Sequence, residues 1–369
     1  MPRHVYVHVP FCARRCSYCD FSIAVRRVVP VDEYLDALDT ELRLRAPETP
    51  QTVDTLYFGG GTPSRLGGRG IARAIELVSR HFVPEADAEI TIEANPEDVT
   101  RDAAEAWRQA GVNRLSLGGQ SFDAEALAWM HRTHGPDAIR LAMEVARSAG
   151  ITNLSVDLIF ALPAELHRNW QADIERLLTL KPSHISLYGL TVEAGTPLGR
   201  WVDRRITVEA SEEGYAEQFL TAHSLLTEAG FDHYEVSNFA RPSSKSRHNS
   251  AYWTAAPYAA IGPSAHEFDG ATRRWNLRHY AAWRDALSEG RDPGEGRETL
   301  SAENRLAEAV YLGLRSTNGL QTQSGDESVI APWIREGWVT LTDESVRCTP
   351  MGWLRLDALA AALTHHRSR

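Results

Sequence analysis

Sulfur is scarce in this chain, with four cysteines and four methionines among 369 residues. So few cysteines, and no signal-peptide pattern at the start, exclude a disulfide-stapled secreted scaffold and point to a reducing cytoplasm. Long apolar runs are missing as well. No stretch approaches the ~20 residues that a transmembrane helix needs, so no membrane span is expected, and peripheral membrane contact stays open. Positive charge is in deficit: 39 Lys and Arg against 49 Asp and Glu leave a formal net charge of −10. Nucleic-acid surfaces carry a basic excess, which excludes nucleic acid as the expected partner. Low-complexity tracts are absent. The most linker-like stretches are residues 241–246 and 288–298, where small or charged residues mix with Pro or Gly. The apolar share of 43% is ample for a core.

Against that scarcity, three of the four cysteines crowd together. Cys12, Cys16 and Cys19 form a C-x3-C-x2-C run inside Pro10-Phe11-Cys12-Ala13-Arg14-Arg15-Cys16-Ser17-Tyr18-Cys19-Asp20-Phe21. A loop of that length can bring three thiolates to one face of a cubane iron–sulfur cluster and leave one iron open to a small molecule. Ordinary ferredoxin clusters take four cysteines. A zinc site is the competing reading, but it needs a fourth ligand. His4 and His8 alternate with Val5 and Val7, as half-exposed strand residues do. Cys348, far along the chain, reads as a small buried core residue in a strand.

Short β-branched or alternating runs recur about every thirty residues, at 4–9, 55–58, 89–93, 114–117, 153–158 and 184–187. Helical patterns fill the gaps, at 32–45, 70–81, 101–110, 136–149 and 167–180, and several end in Ala-Gly or Leu-Lys-Pro stop signals. Strand–helix alternation predicts a parallel α/β sheet of βαβ units. Six units suit an open three-quarter barrel. Strand one begins about three residues in, so no N-terminal lid over the barrel is expected.

Polar residues gather where these strands end. The cysteine loop follows the first strand and Gly59-Gly60-Gly61-Thr62-Pro63 the second. Glu93 and Asn95-Pro96 end the third, Gly118-Gly119-Gln120-Ser121 the fourth, Asp157 the fifth and Tyr188 the sixth. Parallel α/β folds build active sites at the carboxyl ends of strands. Each residue alone has a plain reading: a tight turn at the glycines, a helix N-cap at Asp157, a surface residue at Arg132, turn chemistry at Glu93-x-Asn-Pro. Six on one rim with the cysteines make a site.

These residues resemble a known family. Tyr6-x-His8-x-Pro10-Phe11-Cys12, the cysteine triplet, Gly59-Gly60-Gly61-Thr62-Pro63, Glu93-x-Asn95-Pro96, Gln120-Ser121-Phe122, Arg132, Asp157-Leu158-Ile159 and Leu162-Pro163 match the oxygen-independent coproporphyrinogen III oxidase group of radical-SAM proteins. Tyr234 to Phe239 and His248-Asn249-Ser250-Ala251-Tyr252-Trp253 continue the match along the whole chain. One departure is Ala161, where the family commonly has Gly before Leu-Pro. The resemblance implies a [4Fe–4S] cluster on Cys12, Cys16 and Cys19. It further implies S-adenosylmethionine chelating the open iron and cleaved reductively to methionine and a 5′-deoxyadenosyl radical. Cofactor contacts would fall to Tyr6, Gly60, Gly61, Thr62, Glu93, Gln120, Arg132 and Asp157. In that reading Gly60 and Gly61 admit close backbone approach to the ligand, and Arg132 pairs a carboxylate bidentately. Glu93, Gln120 and Asp157 meet the ammonium and ribose hydroxyls, and Tyr6 and Phe21 shield the cluster.

Within the group, the chain is similar to the haem chaperones (HemW-like) rather than to the oxidases. The oxidases continue the motif with another cysteine where this chain has Phe21, and they carry an N-terminal extension and a second S-adenosylmethionine. The chaperones carry His-Asn-x-x-Tyr-Trp, here His248 to Trp253. That motif implies haem, with His248 as an axial imidazole, Tyr252 and Trp253 as flat apolar surface, and His266 as a second candidate ligand. The expected function is delivery of haem to acceptor haemoproteins. Anaerobic coproporphyrinogen III oxidative decarboxylation, a coproporphyrinogen dehydrogenase-like activity, is the first alternative, and a class C radical-SAM methyltransferase the second. No catalytic side chain is assigned.

The expected domains are a barrel over 1–235, a connecting region with the haem motif over 236–298, and a winged-helix-like α+β unit over 299–369. The last unit is read as a helix at 304–315, a helix at 330–336, strands at 337–341 and 346–350 and a helix at 351–363. It lacks a basic stripe and reads as a cap or docking unit. Oligomeric state and acceptor identity are not legible.

Overall fold

Each apolar run of the sequence becomes a strand whose inward side chains differ in kind from its outward ones. In the strand Gln51–Gly60, Leu56 and Phe58 join the fully buried hydrophobic core, whereas Tyr57 on the other face donates a hydrogen bond to Glu93. That alternation, with its period of two, separates a greasy helix-covered face from a polar interior.

The computed structural model describes residues 2–342 and 344–369. Strands β1 His4–Val9, β2 Gln51–Gly60, β3 Phe82–Ala94, β4 Arg114–Gln120, β5 Asn153–Phe160 and β6 His184–Gly189 pair in that order, all parallel. The helices α1 Val31–Arg45, α2 Gly67–Ser79, α3 Arg101–Gln109, α4 Ala138–Ser148, α5 Trp170–Thr179 and α6 Glu212–Glu228 follow them. Side-chain caps start several of these, Thr100 accepting from Ala103 N–H and Asn169 from Ala172 N–H. The expected α/β parallel arrangement of six units is present, and it is open: β1 and β6 do not pair with each other.

Four expectations are corrected. First, β2 and β3 run longer than 55–58 and 89–93, because Gln51–Val53 pair with Phe82–Pro84 across a register shift at Val53/Thr55. Second, the sheet does not stop at six strands. β7 Asp232–Glu235 and β8 Asn238–Ala240 form a hairpin that adds antiparallel beyond β6. β9 Tyr258–Ile261 adds parallel beside β1, and β10 His266–Phe268, β11 Thr272–Asn276 and β12 Gly294–Thr299 extend that edge antiparallel. The result is one twelve-stranded sheet. The boundary expected at 235/236 therefore falls inside a hairpin, and residues 236–298 widen the sheet at both edges instead of connecting two units. Third, residues 294–298 of the linker-like stretch 288–298 belong to strand β12. Fourth, His8 is buried rather than half-exposed, held between Tyr6 Oη at 3.1 Å and the Ser22 carbonyl at 3.2 Å.

The C-terminal unit opens with the helix Ala302–Arg315. A three-stranded antiparallel sheet of Leu320–Gln321, Ser345–Cys348 and Val339–Thr342 follows, packed with helices Glu327–Arg335, Pro350–Trp353 and Leu356–Arg367. Cys348 is buried there, as expected. A buried ion pair docks this unit on the barrel: Glu235, fully buried in β7, lies 3.0 Å from Arg315, and Trp353 packs edge-on against His233 at 4.5 Å.

Candidate functional site

Strand β1 delivers the chain to the cysteine loop. Phe11, buried between Tyr34 and Tyr280, anchors its first residue. Phe11–Cys12 then pairs in parallel with Ala24–Val25, and Ala24 N–H donates to the Pro10 carbonyl at 2.7 Å. The intervening residues are thereby closed into a loop at its base. Backbone bonds from Ser17 N–H to the Met130 carbonyl and from Leu198 N–H to the Ser17 carbonyl pin its middle.

All three thiols line one cavity of about 410 Å³ at the carboxyl ends of β1 to β6. Among the described residues, no three His, Cys, Asp or Glu side chains converge at the range of a single metal ion. Three thiols on one cavity wall match a cubane that takes one thiolate on each of three irons, whereas a structural zinc needs a fourth ligand. Burial raises the Cys12 thiol above its ordinary range and pushes Cys19 up to about 11. Such thiols keep their protons at neutral pH unless iron displaces them. The donor set fits the cluster.

The same cavity is walled by Gly60, Gly61, Thr62, Glu93, Gln120, Arg132 and Asp157, as the rim pattern predicts. Glu93 accepts from Tyr57 Oη at 2.8 Å and from Gly60 N–H at 3.0 Å. Burial pushes its pKa up to about 7, against those two hydrogen bonds. Asp157 accepts from Ser116 Oγ at 3.1 Å and is likewise raised by burial. Gln120 takes a left-handed backbone, φ 66°, at a register shift in β4, and such irregularities re-aim side chains beside sites. Thr62 Oγ1 lies 3.4 Å from Cys12 Sγ.

Several of the assigned residues also have partners within the chain. A Cβ on Gly61 would meet the Pro10 carbonyl oxygen at 2.6 Å, and one on Gly60, where φ is +111°, would meet the His8 ring at 2.5 Å. These glycines let the chain leading into the cysteine loop pass over β2, and both also line the cavity. Arg132 is already engaged. Its Nη2 donates to Asn95 Oδ1 at 2.6 Å and to the Gly118 carbonyl at 2.8 Å, and Nη1 lies 3.6 Å from Cys16 Sγ. It braces the loop, and among the described residues its buried Nε has no hydrogen-bond partner. Tyr6 is not in this cavity's wall; it stacks on Tyr57 and faces an adjacent cleft. Asn95, Ser116 and Tyr188 line the cavity without having been assigned a cofactor contact. Their signal was there, in the Asn-Pro turn, the strand-end position of Tyr188 and the inward alternation of Ser116 with Gly118.

The His248–Trp253 motif lies elsewhere. It forms a helix, α7 Arg247–Trp253, capped by Ser246, and the N–H groups of Arg247 and His248 donate to the Glu89 carboxylate at 3.0 and 3.1 Å. His248 is 1% exposed. Its Nδ1 bonds Thr55 Oγ1 at 2.7 Å, its Nε2 bonds Tyr252 Oη at 2.8 Å, and its ring stacks on Tyr57 with centroids 4.9 Å apart. Burial lowers its pKa to about 3. Trp253 turns the other way, under the Arg315 guanidinium at 4.3 Å. In this structure the residues expected to offer an axial imidazole and flat apolar surface form a buried polar clamp beside β1 and β2. Both nitrogens of His248 are occupied.

The chain matches the Radical SAM superfamily over residues 6–177. It is 38% identical over 323 residues to the heme chaperone HemW of Mycobacterium tuberculosis (strain ATCC 25618 / H37Rv), covering 86% of this chain and 83% of that protein. It is 40% identical over 386 residues to the Mus musculus protein called radical S-adenosyl methionine domain-containing protein 1, mitochondrial, covering 97% and 86%. Among solved structures, coproporphyrinogen III oxidase (HemN) from Escherichia coli, a radical SAM enzyme, superposes with a TM-score of 0.83 at 24% identity, covering 99% of this chain and 90% of that one. That likeness is one of fold.

Proposed function

The chain belongs to the radical SAM superfamily and, within it, to the family of the heme chaperone HemW; from that premise we propose that it binds haem and delivers it to acceptor haemoproteins. Cys12, Cys16 and Cys19 would hold a [4Fe–4S] cluster, and the wall of the same cavity S-adenosylmethionine. When bound, these two groups supply one-electron chemistry.

The observation that carries the cofactor reading is the meeting of three thiols and two raised carboxyls, Glu93 and Asp157, around one 410 Å³ space. The carboxyls accept from an ammonium and ribose hydroxyls. Arg132 and Thr62 steady the cysteine loop. Phe21, 59% exposed at the cavity mouth, stands where the oxidases have a further cysteine, which favours haem handling over porphyrinogen oxidation. Residues 299–369 serve as a docking unit. Among the described residues no helix is long and apolar enough to cross a membrane, so any membrane contact is peripheral.

The test uses anaerobically purified, cluster-loaded protein. It should bind haem stoichiometrically, pass it to an apo-haemoprotein, and leave coproporphyrinogen III unconverted. Conversion to protoporphyrinogen IX would replace the chaperone reading with the oxidase one.

A further inference from the structure

A chain of three hydrogen bonds runs through His248 and crosses β1, β2 and α7. His4 of β1 lies opposite Thr55 of β2, and its Nδ1 is 3.0 Å from Thr55 Oγ1. Thr55 Oγ1 is 2.7 Å from His248 Nδ1, and His248 Nε2 is 2.8 Å from Tyr252 Oη, one turn further along α7. Each contact shares one proton, and a neutral imidazole donates from one nitrogen and accepts at the other, so the protons all run one way along the chain. Tyr252 sets the direction. Among the described residues its hydroxyl has no other acceptor, so its proton goes to His248 Nε2. Nε2 therefore carries the ring's lone pair. Nδ1–H donates to Thr55 Oγ1, which donates in turn to His4 Nδ1.

Metal-ligating histidines are arranged in this way: one ring nitrogen donates to a fixed partner and the other keeps its lone pair. Burial holds the His248 ring neutral at physiological pH. Its surroundings are firm on most sides. Glu89 holds the first N–H groups of α7, Tyr57 stacks on the ring, and the Arg315 guanidinium covers Trp253 at the far end of the helix. Thr55 is fully buried. Tyr252 differs. It is half-buried, its ring meets Tyr258 edge-on at 4.7 Å, and its hydroxyl is tied to His248 alone.

We propose that Tyr252 is a displaceable cap on His248: turning its side chain away bares an Nε2 lone pair that Thr55 and His4 have already oriented, and turning it back closes the site. The proposal rests on the haem-chaperone reading, with His248 as the axial ligand, and adds how that ligand is opened and shut. On loading, the Nε2 lone pair forms a bond to the haem iron and the iron's previous axial ligand leaves. Tyr252 keeps its proton, since burial raises its hydroxyl well above the ordinary range, and turns it to water. No electron moves and no net proton is released. On delivery the Tyr252 hydroxyl recaptures Nε2 as the iron passes to an acceptor. Tyr252 and iron compete for one lone pair, which suits a protein that has to let its cargo go.

The experiment is haem titration of cluster-loaded protein, followed by its Soret band, for wild type, His248→Ala, Tyr252→Phe, Thr55→Val and Thr55→Ser. The wild type should bind, and His248→Ala should lose the wild-type Soret maximum. Tyr252→Phe keeps the ring and removes the competing hydroxyl. It should bind haem about three- to tenfold more tightly, at the wild-type Soret maximum, and pass it to an apo-haemoprotein more slowly. Thr55→Val should bind at least about tenfold more weakly, and Thr55→Ser should restore the affinity. Wild-type protein that binds no haem would defeat the chaperone reading itself. An unaltered Soret band in His248→Ala would remove the ligand, and the cap with it, while leaving haem binding in place. Equal or weaker binding by Tyr252→Phe, with His248→Ala impaired, would overturn the cap alone, and wild-type affinity in Thr55→Val would overturn the orienting chain. Should Tyr252→Phe fail to fold, nitrogen-15 NMR of haem-free wild type decides: a proton on His248 Nδ1 supports the proposal, and one on Nε2 overturns it.

Discussion

Arg132 Nη1 lies 3.6 Å from Cys16 Sγ, while the same guanidinium donates to Asn95 and to the Gly118 carbonyl. One buried cation thus ties the cysteine loop to the ends of β3 and β4. Outer partners of metal ligands commonly account for about 10–100-fold in metal affinity. Arg132→Ala should therefore retain clearly less iron and sulfide after desalting than wild type, with Arg132→Lys intermediate, because the point charge remains but the fork is lost. Wild-type cluster retention in Arg132→Ala would refute the bracing role.

Each of Cys12→Ala, Cys16→Ala and Cys19→Ala should abolish the [4Fe–4S] absorption and paramagnetic signal, whereas Cys348→Ala should keep both. Cys348 is buried in the C-terminal sheet, so its variant should show only a modest fall in melting temperature. Iron analysis of the four variants checks this; full iron in Cys16→Ala would sink the assignment.

Gly61→Ala puts a methyl 2.6 Å from the Pro10 carbonyl oxygen, a clash with backbone that cannot swing away. Overpacking of this kind costs about 1–3 kcal/mol. Thermal unfolding of protein free of S-adenosylmethionine should show the loss. If stability is untouched and only cofactor binding falls, the glycine serves the ligand and not the chain.

Glu93 titrates near pH 7 in the free protein. A ligand N–H or O–H donating to it favours the carboxylate, so binding expels the proton that Glu93 holds below that pH. S-adenosylmethionine affinity should rise as pH goes from 6 to 8. Calorimetry near pH 6.5 in two buffers of different ionisation enthalpy should report proton release that Glu93→Gln reduces. Equal wild-type affinity at pH 6 and 8 would contradict this.

His248→Ala strands the Tyr252 hydroxyl and leaves Thr55 Oγ1 with only its bond to His4 Nδ1 at 3.0 Å. A buried polar group left without a partner costs about 1–3 kcal/mol. The variant should unfold at lower denaturant concentration with a similar slope; an unchanged midpoint would show that the clamp does not matter.

How much was legible follows from what is local. The cysteine spacing, the β-branched runs and the polar residues closing each run are short-range patterns, and they located the cluster ligands, six of the parallel strands and most of the cavity wall. Elements held by distant partners did not announce themselves. Tyr258–Ile261 is four residues long and becomes a strand because β1 offers it an edge. Gly294–Thr299 is polar almost throughout and is a strand only through its ladder with β11.

The sequence by itself determined that thiolates and carboxyls would share the carboxyl ends of a parallel sheet, since chain direction and periodicity leave them nowhere else. Which of its two candidate histidines faces solvent was decided by tertiary structure alone. His248 sits in a motif of aromatic neighbours that suggests a ligand site, but Thr55, 193 residues away, and Tyr252 take both its nitrogens. His266 has a plainer setting, Gly-Pro-Ser-Ala-His, and among the described residues its ring nitrogens have no hydrogen-bond partner, while strand pairing between β10 and β11 puts Trp275 beside it. Hydrogen-bond availability depends on partners that only the folded chain brings within 3 Å.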